Sequence, residues 1–238
     1  LMGHFSDIDY YKLAEGLDFV SWDNYPDTQW GASEYEYVSM AHENMRGLKN
    51  KNFVVMEEQA GPAGWDTVGS TPRPGQLRLW TYQAIAHGAE GIVYFRFRTA
   101  LFGMEQYWFG VLDHDGVPRR RYYEIQKTGA ELMKLKDYII GTENKYEALI
   151  VKTYDNVWSH EIKRHTARYD YRSLLYAYYK ANAALNINTA VSAGDYEKYR
   201  VVYMPSYNIV EDDEIDRVKK YVQNGGVLVL TFRSGTRA

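Results

Sequence analysis

The segment Asn52–Glu57, with the sequence NFVVME, is a short apolar run that ends on a carboxylate. Two similar runs lie on either side of it, LDFVSW at Leu17–Trp22 and GIVYFR at Gly91–Arg96. All three are too short for helices and rich in β-branched and aromatic residues, so they predict strands. Helical patterns lie between and after these runs, at residues 33–48, 75–87 and 119–135. This alternation predicts βα units of a parallel sheet.

The second helical pattern, residues 75–87, follows two prolines and has one apolar side. The residues that we expect on its buried face are Leu77, Leu79, Trp80 and Ala84. Such a face would pack against the sheet, as helices do in βα units.

The polar segment Gly141–Lys145, with the sequence GTENK, divides the chain. Beyond it, strand patterns lie at residues 148–151, 189–191, 200–204 and 227–232, and helical patterns at 171–185 and 211–224. The order βαββαβ predicts a doubly wound sheet. We therefore expect two domains, at residues 1–140 and 145–238.

The composition excludes several classes of function. The 238 residues carry a formal net charge of −3, which argues against a protein that binds nucleic acid through its phosphates. No cysteine is present, which excludes disulfides, zinc–thiolate sites and cysteine nucleophiles within the chain. No apolar run is long enough to span a membrane. The histidines show no metal-ligand spacing, so we expect neither a metal nor a cofactor; they are His4, His42, His87, His114, His160 and His165.

Glu57 is the strongest catalytic candidate, because parallel α/β proteins build their sites at the carboxyl ends of strands. Glu58 follows it directly, and adjacent strand residues point to opposite faces, so only one of the two can face a site. A carboxylate held there can act as a nucleophile or as a general acid/base. The alternative is a solvated loop acid.

Two further candidates lie in loops that follow predicted strands. Glu105 stands in the aromatic segment FGMEQYWF, residues 102–109, which suits the binding of sugar hydroxyls above a stacking surface. Trp65 lies in a Gly/Pro-rich loop, where a tryptophan is costly to expose unless it has a use. The alternatives are a surface acid for Glu105 and a helix-capping contact for Trp65. Aromatic residues make up 16% of the chain, which fits sugar stacking but equally fits aromatic-rich packing.

These segments, taken in order, resemble the β-galactosidases of glycoside hydrolase family 42. The segments that carry the resemblance are VSWDNYP (20–26), VMEEQ (55–59), GP (61–62), Trp65, PG (74–75), AHGAE (86–90) and YFRFR (94–98). The second half is similar to the flavodoxin-like trimerisation domain of that family. The resemblance implies the C-terminal portion of a (β/α)8 TIM barrel, about strands 6–8, over residues 1–140. A truncated flavodoxin-like domain over residues 145–238 would follow it.

The resemblance also implies an activity, the retaining hydrolysis of terminal β-D-galactosides. It assigns the nucleophile to Glu57 and a place beside it to Tyr25. Trp65 corresponds to a sugar platform, and Glu105 to an acid that binds galactose hydroxyls. Trp108 stands where some members place a histidine that binds a hydroxyl, so it is our fifth site residue.

The acid/base of this family is the glutamate of an Asn-Glu pair after the fourth strand, and no such pair occurs in the 238 residues. Leu1–Phe5 resembles the tail of the fifth strand. We therefore expect the chain to lack the acid/base and to be inactive alone. The implied partners are a β-galactoside and two further copies in a homotrimer, with no nucleic acid and no membrane, and the implied location is the bacterial cytoplasm.

Three alternatives stay open at this stage. The chain could be a non-catalytic carbohydrate-binding module, or a fragment that serves subunit assembly through residues 145–238. It could also belong to a related glycosidase of the same clan that acts on other β-glycosides.

Overall fold

A computed structural model describes residues 1–164, 166 and 169–237, so His165 and Ala238 lie outside the described residues. The strands are β1 Ser21–Asn24, β2 Asp27–Thr28, β3 Gly31–Ala32, β4 Phe53–Gln59, β5 Ala89–Phe95, β6 Ala148–Val151, β7 Thr189–Ser192, β8 Val201–Met204 and β9 Val227–Leu230. The helices are α1 Tyr10–Glu15, α2 Tyr35–Gly47, α3 Gln76–Ala86, α4 Arg120–Ile139, α5 Tyr154–Ile162, α6 Tyr171–Ala184 and α7 Asp212–Gln223. The alternation of helices and parallel strands confirms the predicted α/β class.

The chain divides into two compact units. The first contains Leu1–Gly3, Asp18–Met45 and Lys51–Asn144. The second contains the chain from Lys145 onward together with His4–Leu17 and Arg46–Asn50. The domain assignment at residues 1–140 and 145–238 stays a prediction.

The first unit is built on the three-stranded parallel sheet β1-β4-β5. The first strand begins later than the sequence predicts, because Leu17 and Phe19 are exposed and only residues 21–24 pair with β4. Asp23 and Asn24, which lie beyond the predicted run of residues 17–22, are strand residues opposite Glu57 and Glu58. The pairing therefore extends the sheet to the two acids.

The buried face of α3 consists of Leu77, Trp80, Thr81 and Ala84. These positions follow the spacing of one helical face. The prediction for Leu79 is wrong, since this side chain is 45% exposed. Thr81 takes the buried place, and its hydroxyl hydrogen-bonds the carbonyl oxygen of Leu77 at 2.8 Å. A backbone acceptor within the same helix thus allows a polar residue on this face.

Leu1 lies beside β1 and bonds to it. Its terminal amine donates to the carbonyl of Ser21 at 3.0 Å, and its carbonyl accepts from the amide of Asp23 at 2.9 Å. This is the pattern of a parallel neighbour. No strand is formed over residues 1–5, so of the strand tail expected at Leu1–Phe5 only Leu1 bonds to β1.

The second unit contains a four-stranded parallel sheet in the order β7-β6-β8-β9. Strands β6 and β7 are buried along their whole length, as the continuous apolar character of β6 predicts for that strand. The order confirms the doubly wound arrangement expected from the βαββαβ pattern. Helix α5 was not predicted, because its sequence YDNVWSHEI mixes polar and aromatic residues.

Candidate active site

Glu57 and Glu58 lie just before the last residue of β4 and point to opposite faces, as the alternation of strand side chains requires. Glu58 is 0% exposed, and the side-chain amide of Asn24 donates to both of its carboxylate oxygens, at 3.1 and 3.3 Å. Glu57 is half-buried and accepts a hydrogen bond from the hydroxyl of Tyr25 at 2.5 Å. The two acids therefore have separate environments, one closed and one open.

Burial raises the pKa of Glu58 to about 8, although the Asn24 amide partly opposes this effect. A carboxyl with that pKa is mostly protonated at neutral pH. Glu58 is therefore unsuited to attack a substrate, both because it is enclosed and because it is neutral.

Asp23 stands beside Glu57, since the two residues are direct partners across β1 and β4. Burial raises the pKa of Asp23, and the charge of Glu57 raises it further. Two carboxyls thus share this end of the sheet, and the charge of Glu57 disfavours ionisation of Asp23.

Tyr25 holds the Glu57 carboxylate in place. Burial raises the pKa of the Tyr25 hydroxyl, and the hydrogen bond to Glu57 adds to this. The hydroxyl consequently keeps its proton over the physiological range and remains a donor to the carboxylate.

Four aromatic rings, Tyr25, Trp65, Phe95 and Trp108, form a continuous wall next to Glu57, which we call the aromatic wall. The Trp108 ring lies edge-on to Tyr25 at 4.6 Å and to Trp65 at 5.1 Å between ring centroids. Tyr25 also meets Phe95 at 6.5 Å. Such edge-to-face contacts fix the rings relative to one another.

The two tryptophans of the wall differ in exposure. Trp65 is 43% exposed, so one part of its ring is open to a ligand, whereas Trp108 is only 8% exposed. The indole nitrogen of Trp108 is buried and has no hydrogen-bond partner among the described residues. Trp108 therefore supports Tyr25 and Trp65, and the role in substrate binding expected for it stays a prediction.

Glu105 forms an ion pair with Arg96. The Arg96 guanidinium lies over the Phe95 ring at 4.4 Å, so this pair adjoins the aromatic wall. The negative charge of Glu105 is also one of the smaller causes that raise the pKa of Tyr25. The structure thus brings together all five residues that the sequence singles out.

Sequence reasoning missed Gln59, which follows the two acids. Its carbonyl oxygen accepts from the amide of Asp27 at 2.8 Å, and its amide donates to the carbonyls of Asp27 and Gly61. The signal was a third polar residue in succession after the apolar run FVVM. Gln59 joins the end of β4 to the short hairpin formed by β2 and β3.

No group of three or more histidines and carboxylates over the described ranges is arranged to hold a metal ion. Helices of the kind that cross a membrane, long and apolar throughout, are also missing from that part of the chain.

Comparison with known families accounts for both halves of the chain. The glycoside hydrolase 42 β-galactosidase model matches residues 1–135, and the β-galactosidase trimerisation domain model matches residues 147–238. The chain belongs to the glycoside hydrolase family 42 β-galactosidases. The family resemblance stated from the sequence is therefore confirmed.

Curated relatives of this family match almost the whole chain. The β-galactosidase BgaA of Planococcus sp. (strain 'SOS Orange') is 36% identical over 240 residues, which cover 99% of this chain and 35% of the relative. BgaA of Clostridium cellulovorans is 35% identical over 233 residues, covering 96% of this chain and 35% of the relative. The chain thus spans about a third of the length of these family 42 relatives.

Solved structures of this family superpose closely. The β-galactosidase from Bacillus circulans sp. alkalophilus matches with a TM-score of 0.93 and 35% identity, covering 99% of this chain and 35% of that one. The enzyme from Halorubrum lacusprofundi matches with a TM-score of 0.92 and 31% identity, covering 100% of this chain and 37% of that one. The predicted fold class, the C-terminal portion of a TIM barrel followed by a flavodoxin-like domain, is confirmed.

Proposed function

We propose that this chain carries the nucleophile of a retaining β-galactosidase and that the nucleophile is Glu57. The observation that carries the proposal is the contrast at the end of β4. Glu57 is open and held by the Tyr25 hydroxyl at 2.5 Å, whereas Glu58 is enclosed and bound to Asn24. Of the two acids of β4, Glu57 is the one that can reach a sugar placed at this edge of the sheet.

The chemistry follows from the two-carboxyl scheme of retaining glycosidases, whose carboxyls lie about 5–5.5 Å apart. The Glu57 carboxylate attacks the anomeric carbon while a second carboxylic acid gives its proton to the leaving oxygen. The bond to the leaving group breaks and a glycosyl–enzyme ester forms. Water, deprotonated by the second carboxylate, then attacks the same carbon and releases galactose and free Glu57.

The neighbouring residues have distinct roles in this proposal. Tyr25 orients the Glu57 carboxylate, and its hydrogen bond weakens as the ester forms. Trp65 offers an aromatic face to the galactose ring, Trp108 supports that ring, and Glu105 accepts hydrogen bonds from sugar hydroxyls. Arg96 fixes the Glu105 carboxylate through their ion pair.

The match of residues 147–238 to a trimerisation domain supports assembly as a homotrimer. A sedimentation mass other than three copies would contradict this assembly. The bacterial cytoplasm stays the predicted location, which cell fractionation would test.

The deciding experiment is covalent trapping in the full-length product of the reading frame that carries this chain. A 2-deoxy-2-fluoro-β-galactoside with a good leaving group should form a stable ester on Glu57, located by peptide fragmentation. Glu57→Gln should abolish the label and lower kcat on the order of 10⁴-fold or more, since the nucleophile is lost.

Glu58→Gln is the matched control, because it makes the same change at the adjacent residue. It should retain the label. A label on Glu58 or Asp23 would reassign the nucleophile. Binding of galactose without any label would favour the carbohydrate-binding module, and labelling only by another fluoro-glycoside would favour a different clan activity.

A further inference from the structure

Trp30 is the most exposed tryptophan for which the structure gives a value, at 71%. It is the second residue of the two-residue turn between β2 and β3, where Thr28 pairs with Gly31. Its ring therefore contributes little to the core. Single exposed aromatic residues are common at protein surfaces, so what distinguishes Trp30 is where the hairpin that carries it is held.

The hairpin that carries Trp30 is tied to the strand that ends in Glu57. The side chain of Gln59, two residues after Glu57, bonds to both the amide and the carbonyl of Asp27. Trp30 is three residues beyond Asp27, so its Cα lies within about 11 Å of the Asp27 Cα. The backbone at Trp30 is thus on a hairpin anchored two residues from the proposed nucleophile.

The hairpin is also joined to the loop that carries Trp65. The amide of Gln29 donates to the carbonyl of Ala63 at 2.9 Å, and the side-chain oxygen of Gln29 accepts from the amide of Trp65 at 2.8 Å. Gln29 precedes Trp30 directly. One residue thus links the backbones that present the two exposed indoles.

Two glycines allow this close approach. A Cβ at Gly69 would lie 2.6 Å from the Ala63 carbonyl oxygen and 3.0 Å from the Gln29 amide nitrogen. A Cβ at Gly64 would lie 2.5 Å from the side-chain oxygen of Gln29. The hairpin and the loop are therefore interlocked, and this fixes the backbone next to Trp30 relative to the loop that carries Trp65.

The contacts define a sequence of rings that leads away from Glu57. Tyr25 bonds to Glu57, Trp108 contacts Tyr25, and Trp65 contacts Trp108. The backbone of Trp30 is joined to the outer end of this sequence through Gln29, which bonds to the amide of Trp65. Since the galactose ring occupies the inner positions in the proposed function, the next ring outward faces what is attached to galactose.

We propose that Trp30 is a platform for the leaving-group sugar of the substrate, so that the site prefers galactosides whose aglycone is itself a sugar ring. This inference rests on the proposed galactosidase function. Sugar rings carry a face of C–H groups that stacks on an indole, and such contacts with an aromatic face resemble those between aromatic rings. The proposal assigns selectivity to a residue outside the galactose position.

The test compares Trp30→Ala with the unchanged full-length product on two substrates. The leaving group of lactose is a sugar, whereas that of methyl β-galactoside is methanol. Trp30→Ala should lower kcat/KM for lactose about three- to tenfold, the size of one aromatic contact, and leave the value for methyl β-galactoside within about twofold. Trp30→Phe, which keeps a ring, should restore most of the loss.

Tyr138→Ala is the matched control, since Tyr138 is 80% exposed on α4 and lies outside the site. This variant should leave kcat/KM unchanged for both substrates. The proposal is overturned if Trp30→Ala affects both substrates equally, affects neither, or changes the oligomer mass, which would make Trp30 a subunit contact. If the unchanged protein turns over neither galactoside, the proposed function itself fails.

Discussion

At the scale of single residues, β4 shows how environment separates two identical side chains. Glu57 and Glu58 differ only by one step along the strand, yet one is held by a hydroxyl in an open place and the other is 0% exposed. The alternation of strand side chains predicts this separation from sequence. It does not predict which partner each acid meets, because Asn24 ends a different strand, β1, and Tyr25 follows it.

The enclosed acid makes a testable contribution to stability. The pKa of Glu58 is about 8 in the folded protein, against a reference value of 4.5. Between these values the folded state holds a proton that the unfolded state has released, so stability falls as pH rises through this window. Glu58→Gln removes the effect and keeps an acceptor for Asn24.

We therefore expect Glu58→Gln to raise the free energy of unfolding at pH 8 on the order of 2–4 kcal/mol above that of the unchanged chain. The variant should accordingly unfold at a higher temperature. The difference should shrink as pH falls towards 5. Thermal melts over this range measure it, with Glu143→Gln, the loss of an exposed acid, as control. A difference that is the same at pH 5 and pH 8 would refute the assignment.

The exposure of individual aromatic residues was beyond sequence reasoning. Trp65 and Trp108 were both expected to touch sugar, but the structure exposes one ring and buries the other. Trp30 was not singled out, since a tryptophan in a turn gives no sign of where its loop is held. These outcomes depend on contacts between loops that are distant in sequence.

At the scale of elements, periodicity located the helices and strands that pack on one another. It placed α2, α3 and α6 within two residues of their observed ends, because each has a clear apolar face. It missed β2, β3, α1 and α5. The two strands are only two residues long, and the two helices depend on capping by Asp9 and Thr153 more than on an apolar pattern.

The interlock of the hairpin and the loop predicts a specific sensitivity at Gly69. Gly69→Ala places a methyl group against the Ala63 carbonyl oxygen, a backbone atom that cannot turn aside. We expect a loss of about 1–3 kcal/mol in the free energy of unfolding, as for other overpacked positions. Denaturant titration followed by circular dichroism measures the loss.

Gly129→Ala is the matched control for this substitution. Gly129 lies within α4, and an added methyl there meets no atom within 4 Å. Alanine should stabilise the helix by about 0.5–1 kcal/mol. If Gly69→Ala were as stable as Gly129→Ala, the two loops would not be packed as closely as the structure has them.

At the scale of the whole molecule, the chain joins parts of two architectures. Its first unit holds three parallel strands and its second holds four. The order of elements predicts both sheets, but the grouping of residues 4–17 and 46–50 with the second unit has no signal in the sequence. That grouping rests on contacts such as the bond from the Tyr11 hydroxyl to the Lys152 carbonyl at 3.1 Å.

The proposed chemistry predicts that these 238 residues alone do not hydrolyse galactosides. Retaining hydrolysis needs a second carboxyl at a set distance from Glu57, and the Asn-Glu pair that supplies it in the family is absent from the sequence. Purified chain should give no turnover of an aryl β-galactoside above the rate in buffer.

Asp23 is the residue that could contradict this expectation, because it is the direct strand partner of Glu57. Turnover that is lost in both Glu57→Gln and Asp23→Asn would mean that Asp23 serves as the acid/base. Turnover that persists in Glu57→Gln would point to a contaminating enzyme, and the prediction would stand.

The interlocking of residues 27–32 with residues 60–69 bears on any attempt to redesign the surroundings of the proposed site. Gln29, Gly64 and Gly69 fit one another, so exchanging either segment alone with that of a homologue would pair mismatched surfaces. The two segments therefore need to be exchanged together if the leaving-group preference of a homologue is to be introduced.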